Sequence, residues 1–381
     1  MIYDFLIIGA GSAGCNSAYA LNKANKRVAI VDKEGIAKGA SGAAGAFLSP
    51  LPGKKNPYNS FVNTALNFSI NFYEKLSPEL ILEKGVLRVP NDNFNAKKLK
   101  DNALSYKYLN SDELNKISNQ FKNIEGYFYT NAAIVDPLEV CQSLIKGCDF
   151  YQKDIKVLKQ EDGYYDCEGL KARNIILAQG VNTPLVEYPY VEISPIFGVR
   201  IDVKTSTQIP FNIHKSISVS TNKKDNIVAI GATQQNHSLA PAQCDTICEK
   251  CPFYLNRDEE DVKSLLKQSQ ELIKLNELEV LKVYKGARAT IKSYFPVIGK
   301  VINYEKTVEK YPSIKNGTTI PNTLLEYYPN IYTINALGSR GFVYGPYLAD
   351  ILKENILNGV EIPKEISLEK LFYKMARNKK I

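Results

Sequence analysis

Apolar positions recur along this chain in two rhythms. Ile2–Ile8 and residues 27–31 are short apolar runs bounded by turn formers, which predicts buried strands. Between them lies an alanine-rich stretch, so the chain opens as strand, turn, helix, strand. Residues 60–76 instead carry Phe61, Ala65, Phe68, Phe72 and Leu76 at helical spacing, predicting an amphipathic helix whose aromatics face a core. Strands are expected at 85–89 and 127–135. Asp136-Pro137 then starts a helix to about residue 146, because Asp at the cap and Pro at the first position are both favoured. Residues 35–57 read as a loop of small residues and proline, and 91–123 as a polar, lysine-rich periphery.

The middle of the chain is strand-rich: 150–156, Tyr164–Cys167, 174–178, 191–203, 213–220 and 227–230 all read as strands. A helix is expected at 258–275, strands at 278–285 and 331–335, a turn at 336–341 and a helix over 346–357. Strand-only blocks between α/β pieces predict a dinucleotide-type domain interrupted by a sheet-based second domain.

The 381 residues exceed the usual size of one core, which agrees with two domains. The excess of 48 basic over 40 acidic residues gives +8, spread along the chain; this permits an anionic partner without requiring one. No segment reaches the ~18 apolar residues needed to span a bilayer. Asp4 stands where a signal peptide would be basic, and the 7 cysteines fit a reducing compartment, so a cytoplasmic location is expected. Only 2 histidines, His214 and His237, are present, which leaves almost no material for a His-centred triad or a multi-His metal site. That scarcity favours chemistry carried by a cofactor.

The opening unit carries the sharpest motif. Ile2–Ile8 runs into Gly9-Ala10-Gly11-Ser12-Ala13-Gly14, and residues 27–31 end in Asp32. Strand, G-x-G-x-x-G, helix, strand and acid is the layout that a dinucleotide needs. The glycines allow a tight turn and close backbone approach, the helix N-terminus faces the pyrophosphate, and the acid holds ribose hydroxyls. Ala178-Gln179-Gly180, after a buried strand, offers a second backbone approach.

These residues resemble the D-amino-acid-oxidase-like superfamily of FAD-dependent amine oxidoreductases. The resemblance covers most of the chain: Gly9–Gly14 with Asp32, Gly39-Ala40-Ser41-Gly42, Gln179-Gly180, Ile230-Gly231-Ala232-Thr233, Gly286-Ala287-Arg288, Phe295-Pro296-Val297-Ile298-Gly299 and Gly338-Ser339-Arg340-Gly341. Two stretches, 38–50 and 336–341, are most similar to the C-terminal oxidoreductase domain of bifunctional tRNA 5-methylaminomethyl-2-thiouridine biosynthesis enzymes; glycine oxidases come next. The implied fold class is α/β, a Rossmann-like FAD/NAD(P)-binding domain (1–88, 133–195 and 289–381) interrupted by a mixed or antiparallel-sheet substrate domain (89–132 and 196–288).

The resemblance implies FAD as cofactor, held by Gly9, Gly11, Ser12, Ala13, Gly14, Asp32, Lys33, Ala40, Ser41, Gly42, Ala46, Phe47, Leu48, Gly180, Gly338, Ser339, Arg340, Gly341 and Phe342. Asp32 stands where Glu is commoner, and Gln179 where Thr is. The closing segment 338–347 has no cysteine, so non-covalent FAD is expected. The implied reaction is oxidation of a glycine-like C–N bond, in the carboxymethylaminomethyl group of wobble uridine in tRNA or in a free small amino acid. The methyltransferase half of the bifunctional enzymes does not precede the fingerprint, so a separate methyltransferase is an expected partner.

A substrate carboxylate calls for a forked cation, which favours arginine over lysine. Arg288 falls where the family binds the carboxylate, Arg340 sits in the closing turn, and Tyr344 is a candidate substrate contact. Lys54 and Lys55 are candidate RNA phosphate contacts, with a solvated loop the competing reading. Cys244, Cys248 and Cys251, with His237 nearby, are spaced densely enough to bind zinc or an iron–sulfur cluster, or can be free thiols.

Overall fold

The computed structural model describes residues 1–100, 104–236 and 258–378. Cys244, Cys248, Cys251 and His237 lie outside the described residues, and so does any metal they would hold.

Two sheets organise the chain. The first has eight strands, with a path running Val297–Ile302, Tyr327–Asn335, Leu170–Leu177, Ile2–Ile8, Val28–Asp32, Asp149–Gln152. All neighbours on this path are parallel except Val297–Ile302, which is antiparallel to its partner. Ile2–Ile8 is central, and its continuous apolar run reflects burial on both faces. The helices Ser12–Lys23, Pro57–Leu76 and Gly341–Asn358 cover one face, and Leu368–Asn378 helps to cover the other.

The second sheet has ten strands and is mostly antiparallel. One pair breaks the pattern: Asn212–His214 runs parallel to Ile81–Arg88. The strands Phe47–Leu48 and Ile81–Arg88 also pair into this sheet, although both lie within the 1–88 segment expected of the dinucleotide domain.

Several elements differ from the sequence reading for identifiable reasons. The loop at 35–57 contains a short helix, Ala40–Ala43, and the strand Phe47–Leu48. The run at 213–220 is a hairpin, Asn212–His214 and Ser218–Val219, closed by a Lys215 N–H donated to Ile217 O at 2.8 Å. Strand Glu279–Thr290 continues through Arg288 because it pairs along its whole length with Ser194–Lys204. The last long helix begins at Gly341, not at Pro346. Proline there has no N–H for the carbonyl of Phe342, and the Tyr73 hydroxyl donates to that oxygen instead, at 3.0 Å. The tertiary contact replaces the missing helical bond, and the helix runs through.

Candidate functional site

A cleft of about 900 Å³ runs from the first sheet to the floor of the second. It opens outside the carboxyl ends of Ile2–Ile8 and Val28–Asp32, the crevice where open α/β sheets bind ligands.

The first end of the cleft is made of backbone. Gly9 has φ +112°, and a Cβ there would collide with Ala178 O. A Cβ on Gly14 would collide with Gly9 O, so the helix Ser12–Lys23 reaches this close to the strand only through glycine. That helix starts with no side-chain cap on its N-cap residue; Ser41 Oγ, across the cleft, accepts from Ser12 N at 2.8 Å. Asp32 Oδ2 accepts from Ala10 N at 2.8 Å, and Oδ1 from Glu34 N and Gly35 N at 2.9 and 3.1 Å. The carboxylate is thereby fixed at the cleft wall and retains acceptor capacity for hydroxyl donors. A helix N-terminus facing the cleft, a glycine turn and an oriented acid fit the pyrophosphate and ribose of a dinucleotide.

Of the residues expected to hold a cofactor, Gly9, Gly11, Ser12, Ala13, Asp32, Lys33, Ala40, Ser41, Ala46, Phe47, Gly180, Gly338, Ser339, Arg340, Gly341 and Phe342 all line this cleft. Gly14, Gly42 and Leu48 do not. The two glycines make room for packing, since a Cβ on Gly42 would strike Ala37 O, and Leu48 is fully buried. Lys54 and Lys55 are exposed and off the cleft. No cysteine among the described residues lines it.

The other end is made of side chains. Arg288 lines the cleft and is seated over Gly198, where a Cβ would come within 2.6 Å of its Nη1; that nitrogen also faces Thr233 O at 3.4 Å. Arg340 Nη1 donates to Ser49 O at 2.8 Å. Arg88, at the end of Ile81–Arg88, donates from Nη1 to Ser49 Oγ at 3.1 Å. His214 stands beside Arg88 in register, with Nδ1 2.7 Å from Ser218 Oγ. Tyr344 is not part of this wall. It is 1% exposed, packs against Phe61, and points its hydroxyl at Tyr58, 3.5 Å away.

Charge at this end is one-sided. Among the described residues no carboxylate lies within ion-pair distance of Arg88, Arg288 or Arg340. Arg200, on the strand Ser194–Lys204 and off the cleft, shows what a structural arginine looks like here. It is 3% exposed, 3.6 Å from Asp202 Oδ2, and stacked 3.9 Å over the Tyr284 ring. Burial, then the charge of Arg340, pushes Arg88 down to about 10, so it remains a cation at neutral pH. Burial alone lowers Arg288. Burial, then Arg88 and Arg340, holds His214 well below the ordinary imidazole range, so its ring is neutral at pH 7.

The sequence reading did not single out Arg88, Ser49, Ser218 or the placement of His214. Only the sheet register reveals them: Gly231 pairs with Ser218, Ser218 with His214, and His214 with Arg88, bringing distant segments into one row across the floor.

Fold and cleft together define a dinucleotide-binding protein whose cleft ends in a cationic wall. The chain belongs to the DAO family, FAD dependent oxidoreductase, whose model matches residues 4–355. Its cofactor is FAD, and it is an oxidoreductase. It is similar to two curated proteins described as tRNA 5-methylaminomethyl-2-thiouridine biosynthesis bifunctional protein MnmC. The protein from Campylobacter fetus subsp. fetus is 28% identical over 93% of this chain and 56% of its own length. The one from Aeromonas hydrophila subsp. hydrophila is 24% identical over 93% and 56%. The chain thus spans about half the length of the curated relatives it matches. Among solved structures, glycine oxidase from Bacillus cereus shares the fold with a TM-score of 0.72 at 19% identity, covering 94% of this chain and 96% of that one. Glycine oxidase from Geobacillus kaustophilus does so at 0.73 and 16%, covering 94% and 95%. No helix among the described residues is long and apolar enough to cross a membrane.

Proposed function

We propose that this protein oxidises the C–N bond of a glycine-like secondary amine, the carboxymethylaminomethyl group of wobble uridine in tRNA. The observation that carries this reading is the uncompensated guanidinium wall at the end of the cleft opposite the glycine turn. A part-buried cation with no ion-pair partner is costly, and an anionic substrate removes that cost on binding. The resemblance at 38–50 and 336–341 and the similarity to the bifunctional tRNA-modification proteins support tRNA as the source of that anion.

FAD, when bound, supplies the two-electron oxidation of the bond between the amine nitrogen and its neighbouring carbon, after which water hydrolyses the product. Gly9, Gly11, Ser12, Ala13 and Asp32 would hold its pyrophosphate and ribose, and the turn 338–341 its ring system, without a covalent bond. Arg288 orients the substrate carboxylate in a fork. An amine reacts with its lone pair free, and a positive wall disfavours the ammonium form, so Arg88 and Arg340 promote loss of its proton. His214, neutral and hydrogen-bonded through Nδ1 to Ser218, adds no charge to the wall. We further propose the domain division drawn from the sequence, with the strands Phe47–Leu48 and Ile81–Arg88 contributed to the second sheet, and a methyltransferase as the next activity to act on the product amine.

The test is anaerobic bleaching of the flavin by 5-carboxymethylaminomethyluridine, in tRNA and as the nucleoside, against glycine and D-alanine. Nucleoside mass spectrometry of a deletion strain accompanies it. Bleaching by the modified uridine and accumulation of the carboxymethylated nucleoside are expected. Bleaching by the free amino acids alone, with unchanged nucleosides, would establish a small-molecule oxidase instead.

A further inference from the structure

Two loops leave the arginine end of the cleft and meet outside it. One follows Ser49 through Lys54 and Lys55 into the helix Pro57–Leu76; the other follows Arg288 and Ala289 to Tyr294 and Phe295. Lys54 is five residues beyond Ser49 and Tyr294 five beyond Ala289, so neither backbone lies more than about 18 Å from a cleft-lining residue. The loops touch where the Phe295 ring packs against Tyr58, centroids 5.2 Å apart. Lys370 Nζ stands 5.4 Å from the same Phe295 ring. The Lys98 side chain lies across the first loop at Gly53, where a Cβ would come within 3.1 Å of its Cε. Lys54, Lys55, Lys98, Lys292 and Lys370 are all exposed, and among the described residues none has a carboxylate within ion-pair distance. Segments 50–58, 93–100 and 290–296 contain no Asp or Glu. Asp92, before Lys98, accepts from Asn95 N at 2.7 Å, and Glu369, beside Lys370, accepts from the Tyr327 hydroxyl at 3.3 Å. Among these lysines Tyr294 is 67% exposed, with its backbone at φ +60°, a conformation that a bulky residue adopts at a cost. Burial does not offset that cost.

We infer that this rim of lysines around Tyr294 binds the backbone of an RNA loop, one of whose nucleotides is turned into the cleft. This rests on the reading of the substrate as a tRNA nucleotide and adds the surface that carries the rest of that molecule. Lysines without acidic partners match a chain of phosphates, whose condensed counterions they replace. An exposed tyrosine offers a face on which an unpaired base stacks, whichever base it is. Single-stranded loops present phosphates and free bases together, because their bases are not held in a duplex. A lipid surface also presents phosphates, but it calls for exposed apolar groups, and in the three acid-free segments Tyr294 is the one large apolar side chain exposed among the described residues. The two loops also set the direction. Their roots are cleft wall and their tips carry the charge, so a nucleotide inside the cleft has its neighbours over the rim.

The experiment uses the FAD-loaded full chain with 5-carboxymethylaminomethyluridine in two forms, within tRNA and as the free nucleoside. Binding of the tRNA is measured by fluorescence anisotropy over a salt series, and kcat/KM for both forms by anaerobic flavin reduction. The double variant Lys54→Glu, Lys55→Glu should bind tRNA at least about tenfold more weakly at physiological salt, with a shallower salt dependence. Tyr294→Ala should weaken binding at least about fivefold with the salt slope unchanged, and Tyr294→Phe, which keeps the ring, should recover most of it. All three should act on the nucleoside as the wild type does. Lys159→Glu, on the outlying strand Lys159–Glu161 of the first sheet, controls for net charge and should bind tRNA within about twofold of the wild type. Unchanged tRNA affinity in the lysine and Tyr294→Ala variants, or equal losses on tRNA and nucleoside, would overturn the inference. Binding to phosphatidylglycerol vesicles but not to tRNA would overturn it as well. The two readings fail separately. If the nucleoside reduces the flavin and the rim variants bind tRNA normally, the inference falls and the proposed function stands. If tRNA binds through the rim and neither form reduces the flavin, the reverse holds.

Discussion

The two ends of the cleft solve the same problem, the placing of polar groups against a ligand, with different materials. At the cofactor end the contacts are backbone, drawn mostly from residues 9–41, and their geometry is enforced by the absence of side chains at Gly9 and Gly14. At the other end the contacts are long side chains from four segments, Arg88, His214 and Arg288 from strands of the second sheet and Arg340 from the turn before the helix Gly341–Asn358. The first kind of site is rigid and intolerant of any added atom. The second is held by charge, and its parts can be removed one at a time.

The sharpest way to break the cofactor end is therefore to add an atom. Gly14→Val places two methyl groups where a Cβ alone already overlaps Gly9 O, so strand and helix must separate. Flavin absorbance per protein should fall at least about tenfold. Normal FAD content in this variant would show that the close strand–helix approach is not what holds the cofactor. At the substrate end the largest effect comes from removing a charge. Arg288→Ala should keep its flavin and lose about 100-fold in kcat/KM, since a charge-assisted contact to a carboxylate is worth up to about 3 kcal/mol. A variant that keeps full kcat/KM would make Arg288 a structural arginine like Arg200.

The same contrast decides what could be read from the chain beforehand. The cofactor end is contiguous, so glycine spacing, apolar runs and one acid describe it, and the residues named there mostly line the cleft. The strands Ile2–Ile8 and Val28–Asp32 and the helix between them were legible for the same reason, whereas Val297–Ile302 and the helix Leu368–Asn378 were not. Most strands of the second sheet were legible too, but their pairing was not. A parallel pair between Asn212–His214 and Ile81–Arg88 leaves no local signature, and neither His214 nor Arg88 has a motif around it. Helix start was misjudged at Pro346 because the sequence shows a missing donor, while Tyr73, which satisfies the orphaned carbonyl, is hundreds of positions away. Arg288 and Arg340 were identifiable only through family resemblance.

A subtler probe of the substrate end is pH. The His214 ring is held neutral in the fold by burial and by Arg88 and Arg340, whereas in the unfolded chain it titrates near pH 6.5. Above that pH neither state binds the proton and the group contributes no pH dependence. Below it the unfolded chain takes up a proton that the fold refuses, so stability falls with pH by up to about 1.4 kcal/mol per unit, down to the folded value. Denaturation midpoints between pH 7.5 and 5 should decline less steeply in His214→Gln than in the wild type. Parallel curves would mean that the ring is not shielded and that the cationic wall does not extend to it.

The smallest effect is expected one layer behind that wall. Tyr344 follows the closing turn closely enough to suggest a substrate contact, yet the helix carries its ring into the core against Phe61. Its hydroxyl meets Tyr58 at 3.5 Å, at the limit of a hydrogen bond, so Tyr344→Phe removes little and leaves the packing in place. Midpoint temperature should move by no more than about 2 °C, and kcat/KM by less than about twofold. A tenfold loss of kcat/KM with unchanged stability would put the hydroxyl in contact with the substrate during turnover. The boundary between wall and core would then have to move inward by one residue layer, and the substrate end would no longer be made of its four charged and imidazole side chains alone.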